Sequence, residues 1–143
     1  MAVSRLVLGG LLSAALSVSA VGAASAETFK VEGEMKPAFI YFNVKNDGGW
    51  VQALDEGRVK VEENLGIEIP YTEKVEEVAT QIRPAVERYI DRGYNVILGS
   101  AFGYSDTFKE LAEKHPDVLF LNPAGITNGP NLMSYYGRTY ELS

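Results

Sequence analysis

The 143-residue sequence predicts an α/β fold, a doubly wound, mostly parallel sheet of about five strands with helices on both faces. Three observations carry this expectation. Apolar runs of strand length recur along the chain, and segments of helical period separate them. The runs are mostly continuous rather than alternating, which is the pattern of strands covered on both sides.

The first run, "AFIYFNV" (38–44), reads as a buried strand. From Trp50 the period changes, so that Trp50, Leu54, Val61 and Leu65 share a helical face with Gly57. Gln52, Asp55, Glu56, Arg58 and Glu62 fall on the other faces, and Gly66 supplies a left-handed stop. "IEIPYTEKV" (67–75) alternates and carries Pro70, which suits an edge strand. In "ATQIRPAVERYIDRG" (79–93) a proline fits best at a first helical position, so a firm helix is expected from about Pro84. It turns Ala85, Val86, Tyr89 and Ile90 inward, and Gly93 ends it. "NVILGSAFG" (95–103) is the next buried strand. The segment 104–117 is a helix entered through Ser105 or Asp106, burying Phe108, Leu111 and Ala112 before Pro116 stops it. "VLFLNPAG" (118–125) and "NLMSYYG" (131–137) complete the sheet, and 138–143 opens a further helix. Strands alternating with helices imply parallel pairing through right-handed crossovers, in the order 2-1-3-4-5.

Residues 1–26 stand apart from this domain. "MAVSR" is a short cationic head, "LVLGGLLSAALSVSAVG" an apolar run, and Ala24-Ser25-Ala26 the small-x-small pattern of a signal peptide. Cleavage is expected after Ala26, with export to the periplasm and a flexible lead-in over 27–36. The chain has no cysteine, so it is neither disulfide-stapled nor a lipoprotein, and its core alone must hold it. The formal net charge of −6 argues against nucleic-acid binding, which needs clustered Lys and Arg.

In sheets of this kind ligands bind beyond the carboxyl ends of the strands. That rule selects "KNDGGW", "GSAFGYSD", "NPAGITNG" and "YYGRTYE". Asn46 or Asp47 either caps the helix or accepts hydrogen bonds from a polar ligand. Gly48 and Gly49 leave backbone N–H groups open at a helix N-terminus, and Trp50 either packs on the sheet or offers a flat face. Ser100 and Phe102 lie at the next strand end; Asn122 and Thr127 either reach the cleft or close their turn.

Catalytic constellations are thin. His115 is the only histidine and reads as a surface residue facing away from the cleft, so neither a zinc site nor a Ser-His-Asp arrangement can be placed. "GSAFG" is not a nucleophile elbow, and Glu76 and Glu77 sit in a solvated charge run. No catalytic residue, metal ligand or cofactor is expected, which disfavours a small hydrolase or transferase.

"AFIYFNVKNDGGWVQALDEGR", "GYNVILGSAFGYSDTFKELAEKHPDVLFLNPAG" and "GPNLMSYYGRTYE" together resemble the basic membrane protein (BMP) family, over nearly all of the chain beyond the leader. The resemblance implies a substrate-binding protein of an ABC importer with the type I periplasmic-binding fold. It also implies a purine nucleoside, nucleobase or similar small polar ligand, and a membrane permease as partner. The family turn has an acidic residue, two variable positions and an aromatic, matching Asp47, Gly48, Gly49 and Trp50; many members carry Asn where this chain has Val51. By that carry-over Trp50 stacks on the base while Asp47 or Asn46 bonds a polar edge or the ribose. Family members have two lobes closing on the ligand about a hinge. Residues 37–143 are therefore expected to be the N-terminal lobe, truncated before the second, and a single wall should bind weakly. A ligand-sensing module that presents its bound state to a membrane receptor is the alternative.

Overall fold

The computed structural model describes residues 29–137; the expected leader, its cleavage site and the helix expected over 138–143 lie outside the described residues. The elements follow one another as β1 (Pro37–Ile40), α1 (Trp50–Leu65), β2 (Tyr71–Thr72), α2 (Ala79–Asp91) and β3 (Val96–Leu98). A short 3-10 turn (Phe102–Tyr104) leads into α3 (Ser105–Lys114), then β4 (Leu119–Pro123) and β5 (Leu132–Tyr135). The sheet order is β2-β1-β3-β4-β5 with every pairing parallel, as the strand–helix alternation predicts.

Alternation along the strands divides the core in two. Ala38, Ile40, Ile97, Phe120 and Leu132 pack with Ile82, Val86, Phe108 and Leu111 of α2 and α3. Phe39 and Tyr41 turn to the other face, where Val51 of α1 and Ile69 meet them. The strands are shorter than their apolar runs because side chains take over from the ladder. At the end of β1 the Tyr41 N–H still reaches the Thr72 carbonyl, but the Phe42 N–H donates to Ser100 Oγ at 3.0 Å. The lead-in is held at two points, since Asn95 accepts the Lys36 N–H at 2.8 Å and donates to the Glu34 carbonyl at 3.0 Å.

The inward face of α1 differs from expectation. Val51, Asp55 and Arg58 are buried, whereas Trp50, Val61 and Leu65 are exposed. The charged pair goes inside because it is satisfied there: Arg58 Nε donates to Asp55 Oδ1 at 2.7 Å, and Tyr41 Oη donates to the same oxygen at 3.2 Å. The second helix starts at Ala79, not Pro84. The Val78 carbonyl accepts the N–H groups of Gln81 and Ile82, and Pro84 in the second turn removes only one intrahelical bond. His115 follows α3 and is half-buried rather than a plain surface residue, its Nε2 enclosed without a partner among the described residues.

Two buried tyrosines are expected to make the fold sensitive to base. Burial pushes the phenols of Tyr41 and Tyr104 far above their ordinary value, and the Asp55 carboxylate adds to this at Tyr41. Tyr104 Oη also donates to the Val75 carbonyl at 2.5 Å. A raised folded-state pKa contributes stability that is complete below the unfolded value, about 10, and is lost as pH rises toward the folded value. The denaturation midpoint should therefore fall above about pH 10, and fall less in a Tyr41→Phe, Tyr104→Phe double variant. The same slope in both proteins would refute this assignment.

Candidate functional site

The order β2-β1-β3 places the topological switch between β1 and β3, where a doubly wound sheet opens a crevice at its carboxyl edge. A cleft of about 220 Å³ lies there, lined by Phe42, Trp50, Glu77, Ser100, Ala101, Phe102, Ala124 and Tyr136. Larger depressions of about 400 and 380 Å³ both include Pro37 at the amino end of β1, and the second is a greasy groove beside Val61 and Leu65. The smaller cleft is the better candidate, because four aromatic rings and a carboxylate converge on it at the switch point.

The turn before α1 is built by Asp47. Its Oδ1 accepts the N–H groups of Gly49 at 2.9 Å and Gln52 at 3.1 Å, and Oδ2 accepts that of Val51 at 3.3 Å. These backbone donors hold its carboxyl below the ordinary value, Gly49 foremost, so the cap persists above about pH 4 and is lost as pH falls through the lowered value. The helix N-terminus is thus occupied by the chain's own carboxylate rather than left open. Gly48 makes the turn possible: its φ of 75° is left-handed, while a Cβ there would meet nothing.

Trp50 begins α1 and reaches across the switch point, where its Nε1 donates to the Ser100 carbonyl at 2.7 Å. With the only indole donor spent, what Trp50, a residue 37 % exposed, offers the cleft is its ring, inclined 49° to Tyr136 at a centroid separation of 6.2 Å. Ser100 is fully buried; its hydroxyl accepts the Phe42 N–H, so it ties the ends of β1 and β3 into the cleft floor. Phe102 is 60 % exposed at the rim.

Of the residues singled out in the sequence, Trp50, Ser100 and Phe102 come together. Asn46, Asp47, Gly48 and Gly49 form the supporting turn and do not line the cleft. Asn122 and Thr127 close their loop, Asn122 Nδ2 donating to the Ala101 carbonyl and Thr127 Oγ1 to the Ser105 carbonyl, each at 3.0 Å. Phe42, Glu77 and Tyr136 are additions. Tyr136 lay within one of the four turns the fold rule selects, whereas Glu77 was hidden in a run of charges. No group of three or more metal-ligating side chains exists among the described residues.

Residues 35–143 match the Bmp family, described as ABC transporter substrate-binding protein PnrA-like. A candidate ABC transporter glucose-binding protein of Haloferax volcanii, TsgA13, is 35% identical over 112 residues, which cover 77% of this chain and 28% of that one. A purine-binding protein of Brucella abortus is 34% identical over 122 residues, covering 84% of this chain and 33% of that one. The chain therefore spans about a third of the length of these relatives. Among solved structures, an ABC transporter solute-binding protein of Conexibacter woesei superposes with a TM-score of 0.60 at 20% identity, over 72% of this chain and 35% of that one.

Proposed function

The chain belongs to the Bmp family of PnrA-like ABC transporter substrate-binding proteins, and from that premise we propose that its β1/β3 cleft binds a purine nucleoside, nucleobase or similar small polar ligand for delivery to a membrane permease. Proteins of this family bind solutes rather than transform them. The observation that carries the ligand is the cleft itself, where Trp50 is locked by its donor and presents a ring face beside Tyr136, Phe42 and Phe102. Flat aromatic surfaces take up the π-face of a base. The purine-binding Brucella relative agrees with that choice, and the glucose-binding relative marks the competing one. The proposal includes export through the signal peptide of residues 1–26 and work in the periplasm. Residues 37–143 serve in it as the N-terminal lobe, closing on the ligand against a second lobe.

The cleft volume is below the roughly 300–1,000 Å³ of complete small-molecule sites. One wall alone should therefore bind at micromolar affinity or weaker. Trp50 is the only tryptophan in the chain, so its emission reports on this cleft alone. Titrating adenosine and guanosine should give a saturable change in that emission, and glucose a smaller one. A nucleoside titration with no change up to millimolar concentrations would contradict the proposal.

A further inference from the structure

We propose that Glu77, rather than Asp47, is the acidic group that reads the polar edge of the ligand, an inference that rests on the ligand-binding reading above. Asp47 caps α1 with both oxygens and does not line the cleft. Among the described residues, Glu77 is the one charged residue that does. It lies in the segment between β2 and α2, and its Oε2 accepts the Gly103 N–H at 2.6 Å from the segment between β3 and α3. A Cβ at Gly103 would collide with Glu77, so the missing side chain is what lets the carboxylate seat itself there. A single backbone bond orients the group, and Oε1 has no partner among the described residues. A carboxylate offers about four acceptor sites, so an oriented oxygen remains available beside the Trp50 and Tyr136 rings.

The chemistry this recognises is a flat ring system bearing adjacent N–H or O–H donors. Two parts of a nucleoside carry such a pair: the N1–H and amino edge of guanine, and the 2′,3′-diol of ribose. A carboxylate accepts either as two charge-assisted hydrogen bonds.

Glu77→Gln separates this role from loop fastening. The amide oxygen can still accept the Gly103 N–H, while the charge and the second acceptor are lost. Tryptophan-emission titrations of the full chain with guanosine, adenosine and 2′,3′-dideoxyadenosine should show at least about tenfold weaker binding in Glu77→Gln for donor-paired ligands. A loss for guanosine alone assigns the base edge. A loss for guanosine and adenosine, but not for dideoxyadenosine, assigns the ribose. Unchanged affinity for all three in Glu77→Gln overturns the inference and leaves the cleft reading intact. Failure of the unaltered protein to bind any nucleoside removes the cleft reading itself, and this inference with it.

Discussion

Replacing Arg58 with methionine is expected to destabilise the fold by about 3–5 kcal/mol, because it strands a buried charge. The Arg58 side chain is 6 % exposed and joins three acceptors: Asp55 Oδ1 at 2.7 Å, Glu62 Oε1 at 2.7 Å and the Ile69 carbonyl at 3.1 Å. Its guanidinium also lies over the Tyr71 ring, 4.7 Å from the centroid. Methionine keeps much of the aliphatic stem but removes the cation, leaving Asp55 buried with only the Tyr41 hydroxyl. Against a total stability of about 5–15 kcal/mol, that is a large fraction. The midpoint of thermal unfolding should fall by about 10–20 °C. Breaking a buried pair is costly, whereas replacing both partners with apolar groups is often close to neutral. An Arg58→Met, Asp55→Leu double variant should accordingly recover part of the loss, the remainder reflecting the buried Tyr41 hydroxyl and Ile69 carbonyl that lose these partners. A single-variant cost below about 1 kcal/mol would put Arg58 among the surface ion pairs instead.

The same network shows where sequence reading stops. Periodicity placed Trp50, Val61 and Leu65 inside α1 because it treats every charge as outward. Nothing local reveals that Asp55 and Arg58 neutralise each other three residues apart, or that Tyr41 and the Ile69 carbonyl complete their bonding from elsewhere in the chain. Topology was more legible. Continuous apolar runs and the edge proline Pro70 were enough for the strand order, because parallel crossovers leave few alternatives. Pro84 misled for a physical reason: a proline in the second turn costs only one bond, which α2 forgoes while burying Ile82, Ala85 and Val86.

At the cleft, glycine-rich turns at strand ends pointed to the right edge of the sheet, and Trp50 was visible as its single indole. Its donor could not be foreseen to end on the Ser100 carbonyl, 50 residues away. Asp47 illustrates the converse. Capping and ligand binding both suited it from sequence, and its three backbone contacts show that capping occupies it. Glu77 is exposed, as its place in a run of charges suggested, and what sets it apart is the Gly103 N–H that its carboxylate accepts from 26 residues away.

Trp50→Ala is expected to weaken nucleoside binding by about tenfold or more, since stacking on an aromatic face contributes about 1–3 kcal/mol per base. The alanine removes the ring and also the tether from the start of α1 to the end of β3. Stability should suffer less than binding, because the indole is partly exposed and Val51, not Trp50, carries the packing of the first turn. The measurement must be independent of tryptophan emission, which vanishes in the variant. Ligand-observed NMR titration of adenosine and guanosine against the unaltered chain and Trp50→Ala meets that need and tests the cleft directly. Saturable binding by the unaltered chain, reduced about tenfold or more in a folded Trp50→Ala variant, is the predicted result. Equal affinity in the two proteins would contradict the assignment of this cleft as the ligand site.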